Sequence, residues 1–441
     1  MLYTARVNQQ LEASADRFRA FAENESAAFR RFERALARLD RLDADELESL
    51  VADVSHPGAT PSEEWQERTG FFIPFDGRLD NHRAARQWAL DRIANVTTVA
   101  VDGSEIKPTK DYSLPVAAVQ VAWFENPHRE DRAYVKDVRF EVIHPDELTG
   151  EAGDGFGSAD QNLALRRFEF EVTALIERMI LLAERGWDER PPVAFFDGSL
   201  VVSFAAGVLQ DVGDHYIQAI CRLVRASEET RIPLVGFIDT SLAKDVTTLL
   251  AVIGNLPRPQ RVPDSRLLAQ RMGWGDRTRA LVCARGDVLD RYHLASFGGA
   301  RPGSAGVSPA RGNRTEAGET PALHEDARRL PAMPNGELLL DYSHEICFVY
   351  LKTNGLMPPA RLDVPRWIVR DGLLDYVVDV VRAEVIVGNG YPYCIETADA
   401  CAVLGIHDRE RFYRILQDFA GRQGIALQIV PKAASKRRRR V

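Results

Sequence analysis

The chain of 441 residues contains only five cysteines, Cys221, Cys283, Cys347, Cys394 and Cys401. They are odd in number and form no CxxC pair, which argues against a disulfide framework and against a structural zinc site. They read as reduced core residues. Long apolar runs are missing too: none approaches the roughly 18 residues that a bilayer span requires. The first ten residues carry no apolar segment flanked by basic residues, as a secretory signal would. The expected location is the cytoplasm, without membrane contact. Nor is there an excess of positive charge. A net charge of −8 is unlike the basic balance of most nucleic-acid-binding domains. Because 436–440 is a run of five Lys and Arg residues, everything before that tail is more acidic still, so any phosphate-binding surface must be local. Among nine histidines there is no HExxH pair, and His344 and His407 read as surface or satisfied core residues rather than metal ligands.

What the chain does have is a hydrophobic content of 45%, ample for a large core, and a length that suits two to three domains. Residues 1–95 read as a helical arm followed by a wrapping segment. From Tyr3 to Leu50 there is no Pro or Gly, and Phe18, Phe21, Ala28, Phe32, Leu36 and Leu39 keep a helical spacing. This arm either packs on its own domain or offers a seam to a partner or a second copy of the chain. Residues 96–297 then read as strands at 99–102, 114–124 and 134–143, a helix at 159–185, a strand at 193–197, a helix at 211–230 and a strand at 233–239. Such an order predicts an α/β fold with a ribonuclease-H-like mixed sheet and flanking helices. A further helix is expected at 242–254. Residues 298–335 are dense in Gly, Pro, Ala and Arg and repeat one phrase, AGVSPA and AGETPA, which marks a low-complexity, disordered insertion. The C-terminal part, 336–431, completes the domain with strands at 345–351 and 361–364, helices at 373–387, 396–404 and 408–421, and a last strand near 426–430. Residues 432–441 form the basic tail.

The chemistry is carried by a repeated phrase. VAVDGSEIK ends an apolar run on Asp102, and VAFFDGSL ends another on Asp197. Each reads as a buried strand delivering one carboxylate to its carboxyl end, where the Gly that follows lets the backbone turn. Two such carboxylates brought together repel each other unless a proton or a cation lies between them, and hard divalent ions such as Mg²⁺ or Mn²⁺ prefer oxygen donors. That points to phosphoryl-transfer chemistry. Taken alone, either Asp-Gly is an ordinary turn pair.

The two DGS strands, the acid-bearing helix between them, GFIDTSLAKDVTTLL and the C-terminal GNGYPYCIETADACAVL together resemble the NurA nuclease family. The resemblance implies a ribonuclease-H-like or Piwi-like core. It also implies Mn²⁺-dependent (or Mg²⁺-dependent) cleavage of DNA, a homodimer, and work with a HerA-type hexameric ATPase on broken DNA ends. Asp102 and Asp197 match the family's strand acids. The helix acid is Glu169 or Glu171, which project about 200° apart, and Glu171 is preferred because it shares the stripe of Leu175 and Arg178. At the C-terminal position relatives often carry histidine, whereas Asp399 stands here; His344 is the other candidate. The expected ligand set is therefore Asp102, Glu171, Asp197 and Asp399, with Asp239 in reserve. Two other classes stay open: an actin-like or sugar-kinase-like ATP-binding protein, suggested by DGS with Lys107, and a catalytically silent adaptor of a hexameric ATPase. The ATP-binding reading needs an adenosine-binding Gly-Gly pair, and the chain offers only Gly298 and Gly299.

Overall fold

The computed structural model describes residues 2–77, 79–149, 159–259, 261–286, 288–296 and 338–428. The insertion expected at 298–335, with its Gly-Gly pair, and the basic tail at 432–441 lie outside the described residues.

Thirteen strands are present among the described residues. The first five are β1 (Gly58–Pro61), β2 (Phe72–Ile73), β3 (Thr98–Ile106), β4 (Ala117–Asn126) and β5 (Val135–Ile143). Next come β6 (Val193–Asp197), β7 (Leu234–Ile238), β8 (Arg277–Thr278) and β9 (Leu281–Ala284), then β10 (His293–Ser296), β11 (Leu338–Asp341), β12 (Ile346–Leu351) and β13 (Ala360–Pro365). Eleven of them form one mixed sheet whose main path runs β1-β9-β12-β13-β7-β6-β3-β4-β5. β3, β4 and β5 are antiparallel neighbours, while β6 joins β3 in parallel and β7 joins β6 in parallel. The two parallel pairs need crossovers, and the helices Ala159–Arg185 and Gln210–Thr230 provide them. This is the α/β sheet with flanking helices that the order of elements predicted.

Burial on both faces explains the apolar strand runs. In β6, Ala194 and Phe196 pack under the two crossover helices, and the alternate residues Val193 and Phe195 pack under the C-terminal helices Leu374–Val387 and Tyr393–Ala402. β3 divides the same way, with Val99 and Val101 on the first side and Ala100 on the second.

Several elements were not legible beforehand. The wrapping segment of residues 1–95 donates β1 to β9 and β2 to β8, and the hairpin of β10 and β11 stands on either side of the insertion. The last strand, expected near 426–430, is not formed over 426–428; Gln428 instead exchanges hydrogen bonds with Ser113. The arm itself is helical at Thr4–Ala13, Ala15–Leu39 and Ala44–Val51. Phe32, Leu36 and Leu39 are buried, but Val7, Leu11, Phe18 and Phe21 stay exposed. All five cysteines are free, four of them buried and Cys401 half-buried. No helix among the described residues is long and apolar enough to cross a membrane.

Candidate active site

The register of the parallel pair decides where the two DGS acids meet. Val101 stands opposite Phe196, so Asp102 and Asp197 occupy the next position on strands about 4.8 Å apart. Alternation places both on the face covered by the helix Tyr393–Ala402. The two motifs are nevertheless unlike. After Asp197 the chain turns, with Gly198 at φ 147°, a conformation that favours glycine. After Asp102 it does not: β3 continues to Ile106, paired with β4 alone. The expectation that both glycines make turns is corrected for Gly103, which lies inside a regular strand.

Gly103 serves another purpose. A Cβ at this position would lie 2.4 Å from Oε1 of Glu171 and 2.9 Å from its Cγ. Glu171 comes from the helix Ala159–Arg185, on the opposite face of the sheet, and lies over the bare backbone of Gly103. Burial pushes its carboxyl up to about 8; Arg167 at 3.5 Å opposes this, and the charges of Asp102, Asp197 and Glu105 add to it. Its Oε1 is buried without a hydrogen-bond partner. Among the described residues only the Arg167 guanidinium at 3.5 Å offsets its charge, so further positive charge there would be stabilising. Glu169 points elsewhere, toward His215 Nδ1 at 3.3 Å, so of the two helix acids Glu171 is the one beside Asp102.

Asp399 arrives from the helix Tyr393–Ala402. Burial pushes the Asp102 carboxyl up to about 6, a hydrogen bond from the Gly103 backbone opposes the shift, and Asp399, within hydrogen-bonding reach, raises it further, as does Asp197. The Asp197 carboxyl is also raised, chiefly by burial, against a hydrogen bond donated by the Tyr391 hydroxyl at 2.8 Å. Four acids from four separate elements thus share one negative region. His344 is remote from it, because it precedes β12 at the opposite end of the sheet. The His407 side chain is fully exposed. Asp239 is exposed at the end of β7 and does not cap the following helix. Asp264 does so instead, accepting from the Val246 and Thr247 amides at 2.9 and 2.8 Å. Burial and the charges of Asp197, Asp239 and Asp102 together push the Tyr391 hydroxyl upward, which puts Asp239 at the margin of the same region.

A buried ionic network holds the second motif in place. Asp363 of β13 accepts from Ser199 Oγ at 2.6 Å and from the Leu200 amide at 3.1 Å, and its other oxygen accepts from Arg361 Nε at 2.7 Å. Arg361 also pairs with the buried Asp245. Sequence reasoning missed Arg167 and Tyr391 as partners of the acids, and Asp363 and Arg361 as supports of the turn after Asp197. The signal available was a charged pair inside the short apolar strand ARLDVP and an arginine four residues before Glu171.

The donor set is all oxygen, and with Glu171 Oε1 buried without a hydrogen bond it suits a hard divalent cation better than a soft one. Among the described residues, no three His, Cys, Asp or Glu side chains already stand in an ion-holding arrangement. Asp102 leans on Asp399, Asp197 on Tyr391 and Glu171 on Arg167, so gathering the carboxylates around one ion calls for side-chain rotation.

The sequence matches the NurA domain over residues 96–404. The chain belongs to the NurA family. Membership makes nuclease its class of activity. No curated protein matches the sequence. Among solved structures, a NurA crystal structure with manganese is 9% identical, with 74% of this chain and 89% of that one covered and a TM-score of 0.35. The catalytic domain of human endonuclease V is 13% identical, with 81% and 93% covered and a TM-score of 0.27. Endonuclease V of Bacillus subtilis is likewise 13% identical, with 78% and 99% covered and a TM-score of 0.26.

Proposed function

We propose that this NurA-family chain is a divalent-cation-dependent DNA nuclease that hydrolyses phosphodiester bonds from DNA ends. The observation that carries this reading is the convergence of Asp102, Asp197, Asp399 and Glu171, with the carboxyls of Asp102, Asp197 and Glu171 pushed upward and one buried oxygen of Glu171 without a hydrogen bond. An acid cluster of this kind repels the DNA backbone unless cations intervene, so the cluster and a phosphate substrate make sense together only with metal. Mn²⁺ or Mg²⁺ fits the oxygen donors. When bound, such a cation supplies an acidified water and positive charge at the phosphate.

The residues divide the remaining work. Asp102 and Asp197, fixed by adjacent strands, would hold the cation most rigidly. Tyr391 keeps Asp197 oriented and favours its ionised form. Glu171 and Asp399 complete the set from opposite faces of the sheet. Arg167, partly exposed and already beside Glu171 and Glu105, supplies a fixed positive charge at the rim. A role in processing double-strand breaks with a HerA-type hexameric ATPase, and assembly as a homodimer, belong to the same proposal. The exposed apolar side chains Val7, Leu11 and Phe18 of the two N-terminal helices, with Phe21 partly exposed beneath Arg261, support association through the N-terminal arm.

The test is purified protein on end-labelled linear DNA with Mn²⁺, Mg²⁺ or EDTA, beside Asp102→Ala and Asp197→Ala. Cleavage with metal, none with EDTA and losses of at least about a hundredfold in both variants are expected. Equal cleavage by the wild type and both variants would overturn the assignment.

A further inference from the structure

Beside the acids lies an open cleft of about 610 Å³, within the size range of small-molecule sites. Asp239, Asn354, Tyr391, Tyr393 and Glu396 line it together with the Gly388–Gly390 turn. We infer that this cleft is a nucleobase pocket that receives the base of the end nucleotide while the adjoining phosphate lies at the acids. The inference rests on the nuclease reading and adds to it the part of the substrate recognised.

Three observations carry it. The cleft joins the acid cluster through one side chain, since Tyr391 forms part of its wall and donates its hydroxyl to Asp197 Oδ1 at 2.8 Å. A ligand in the cleft is therefore next to the reacting phosphate. The aromatic walls are set in advance: Tyr391 stands edge-on against Phe237 at 5.1 Å, and Tyr393 stands edge-on against Phe124 at 5.7 Å. Prefixed rings suit stacking, which tolerates any base. The polar groups match a base edge and reject a phosphate. Asn354 Oδ1 is occupied by the Leu356 and Met357 amides, at 2.9 and 3.4 Å. Its Nδ2 points toward Gly390, where a Cβ would lie 3.9 Å away with no other atom within 4 Å. Asn354 is thus a donor toward the cleft, and Asp239 and Glu396 are acceptors. Two carboxylates beside Asp197 repel a second phosphate but accept from the exocyclic amines and ring N–H groups of a base.

The experiment has two arms on the full chain. In EDTA, saturation-transfer NMR compares deoxyadenosine with deoxyribose 5-phosphate. The nucleoside should bind and the sugar phosphate should not, and Asn354→Asp and Tyr393→Ala should each weaken nucleoside binding about tenfold, the scale of one stacking or base-edge contact. Asn354→Asp keeps the Oδ1 bonds that order the loop while removing the donor. With Mn²⁺, an abasic residue at the DNA end should slow release of the end nucleotide about tenfold, whereas an abasic residue several positions inward should not. Binding of the sugar phosphate in preference to the nucleoside, or undiminished cleavage of the abasic end, overturns the pocket. Protein that cuts no DNA under any metal condition instead sinks the nuclease reading, and the EDTA arm still decides whether the cleft takes a base.

Discussion

Replacing Gly103 with alanine tests whether Glu171 acts at the site through the sheet. The backbone at Gly103 is ordinary extended strand, so alanine fits it without strain, and removing a strand glycine is worth roughly 0.5–1 kcal/mol in alanine's favour. The difficulty lies in the side chain. The new Cβ would stand 2.4 Å from Glu171 Oε1, and an ordinary carbon–oxygen contact needs about 3.3 Å, so the carboxylate must retreat by about 1 Å. The Glu171 Cγ at 2.9 Å must move with it and the Arg167 Cγ at 3.1 Å must give slightly, a folding cost set against the gain from removing a strand glycine. For chemistry the retreat is expensive: a displacement of about 1 Å in a catalytic group costs on the order of a hundredfold in rate. Gly103→Ala should therefore melt within a few degrees of the wild type by differential scanning fluorimetry, yet cleave end-labelled DNA about a hundredfold more slowly at saturating Mn²⁺. A double variant with Glu171→Gln should be no slower than Glu171→Gln alone, because both changes act through one carboxylate. Wild-type cleavage by Gly103→Ala, or losses that multiply in the double variant, would refute the placement of Glu171 in the machinery.

Other outcomes follow from the same geometry. The metal-free protein holds the carboxyls of Glu171 at about 8 and Asp102 at about 6, above their unfolded values. The folded state therefore binds more protons than the unfolded state between about pH 4 and 8. This contribution is complete at the acid end of that window and is lost as pH rises through the folded values. Tm measured in EDTA should fall across the window, and Glu171→Gln should flatten the fall. Tyr391→Phe removes the hydrogen bond that lowers the Asp197 carboxyl, so the acidic limb of the pH–rate profile should move to higher pH; an unmoved limb would show that this bond does not tune the reacting state. Asp363→Ala leaves Arg361 buried with one partner fewer and frees the Ser199–Leu200 turn. Urea unfolding should report a loss of about 3–5 kcal/mol, together with weakened cleavage because Asp197 is no longer held.

The amino-acid sequence by itself determined the local pieces of this protein. The helix at Ala159–Arg185 and the strand at Val193–Asp197 stand where periodicity put them, because a long amphipathic run and a short apolar run each dictate one local conformation. The repeated DGS likewise marked Asp102 and Asp197, since a carboxylate closing an apolar strand stands out in the text itself. What only the tertiary structure decided is everything set by contacts between distant segments. β1, β2, β8 and β9 are two to four residues long, too short for a period to register, and they become strands only because the sheet offers neighbours. Helical spacing already preferred Glu171 to Glu169, but its seat over the bare backbone of Gly103 was visible only once the helix was packed on the sheet. Asp363 and Tyr391 became partners of the second motif through chain separations of 164 and 194 residues. No local pattern encodes such pairings: a hydrogen bond between remote residues is specified by how the sheet and helices pack, and packing is a property of the whole chain at once.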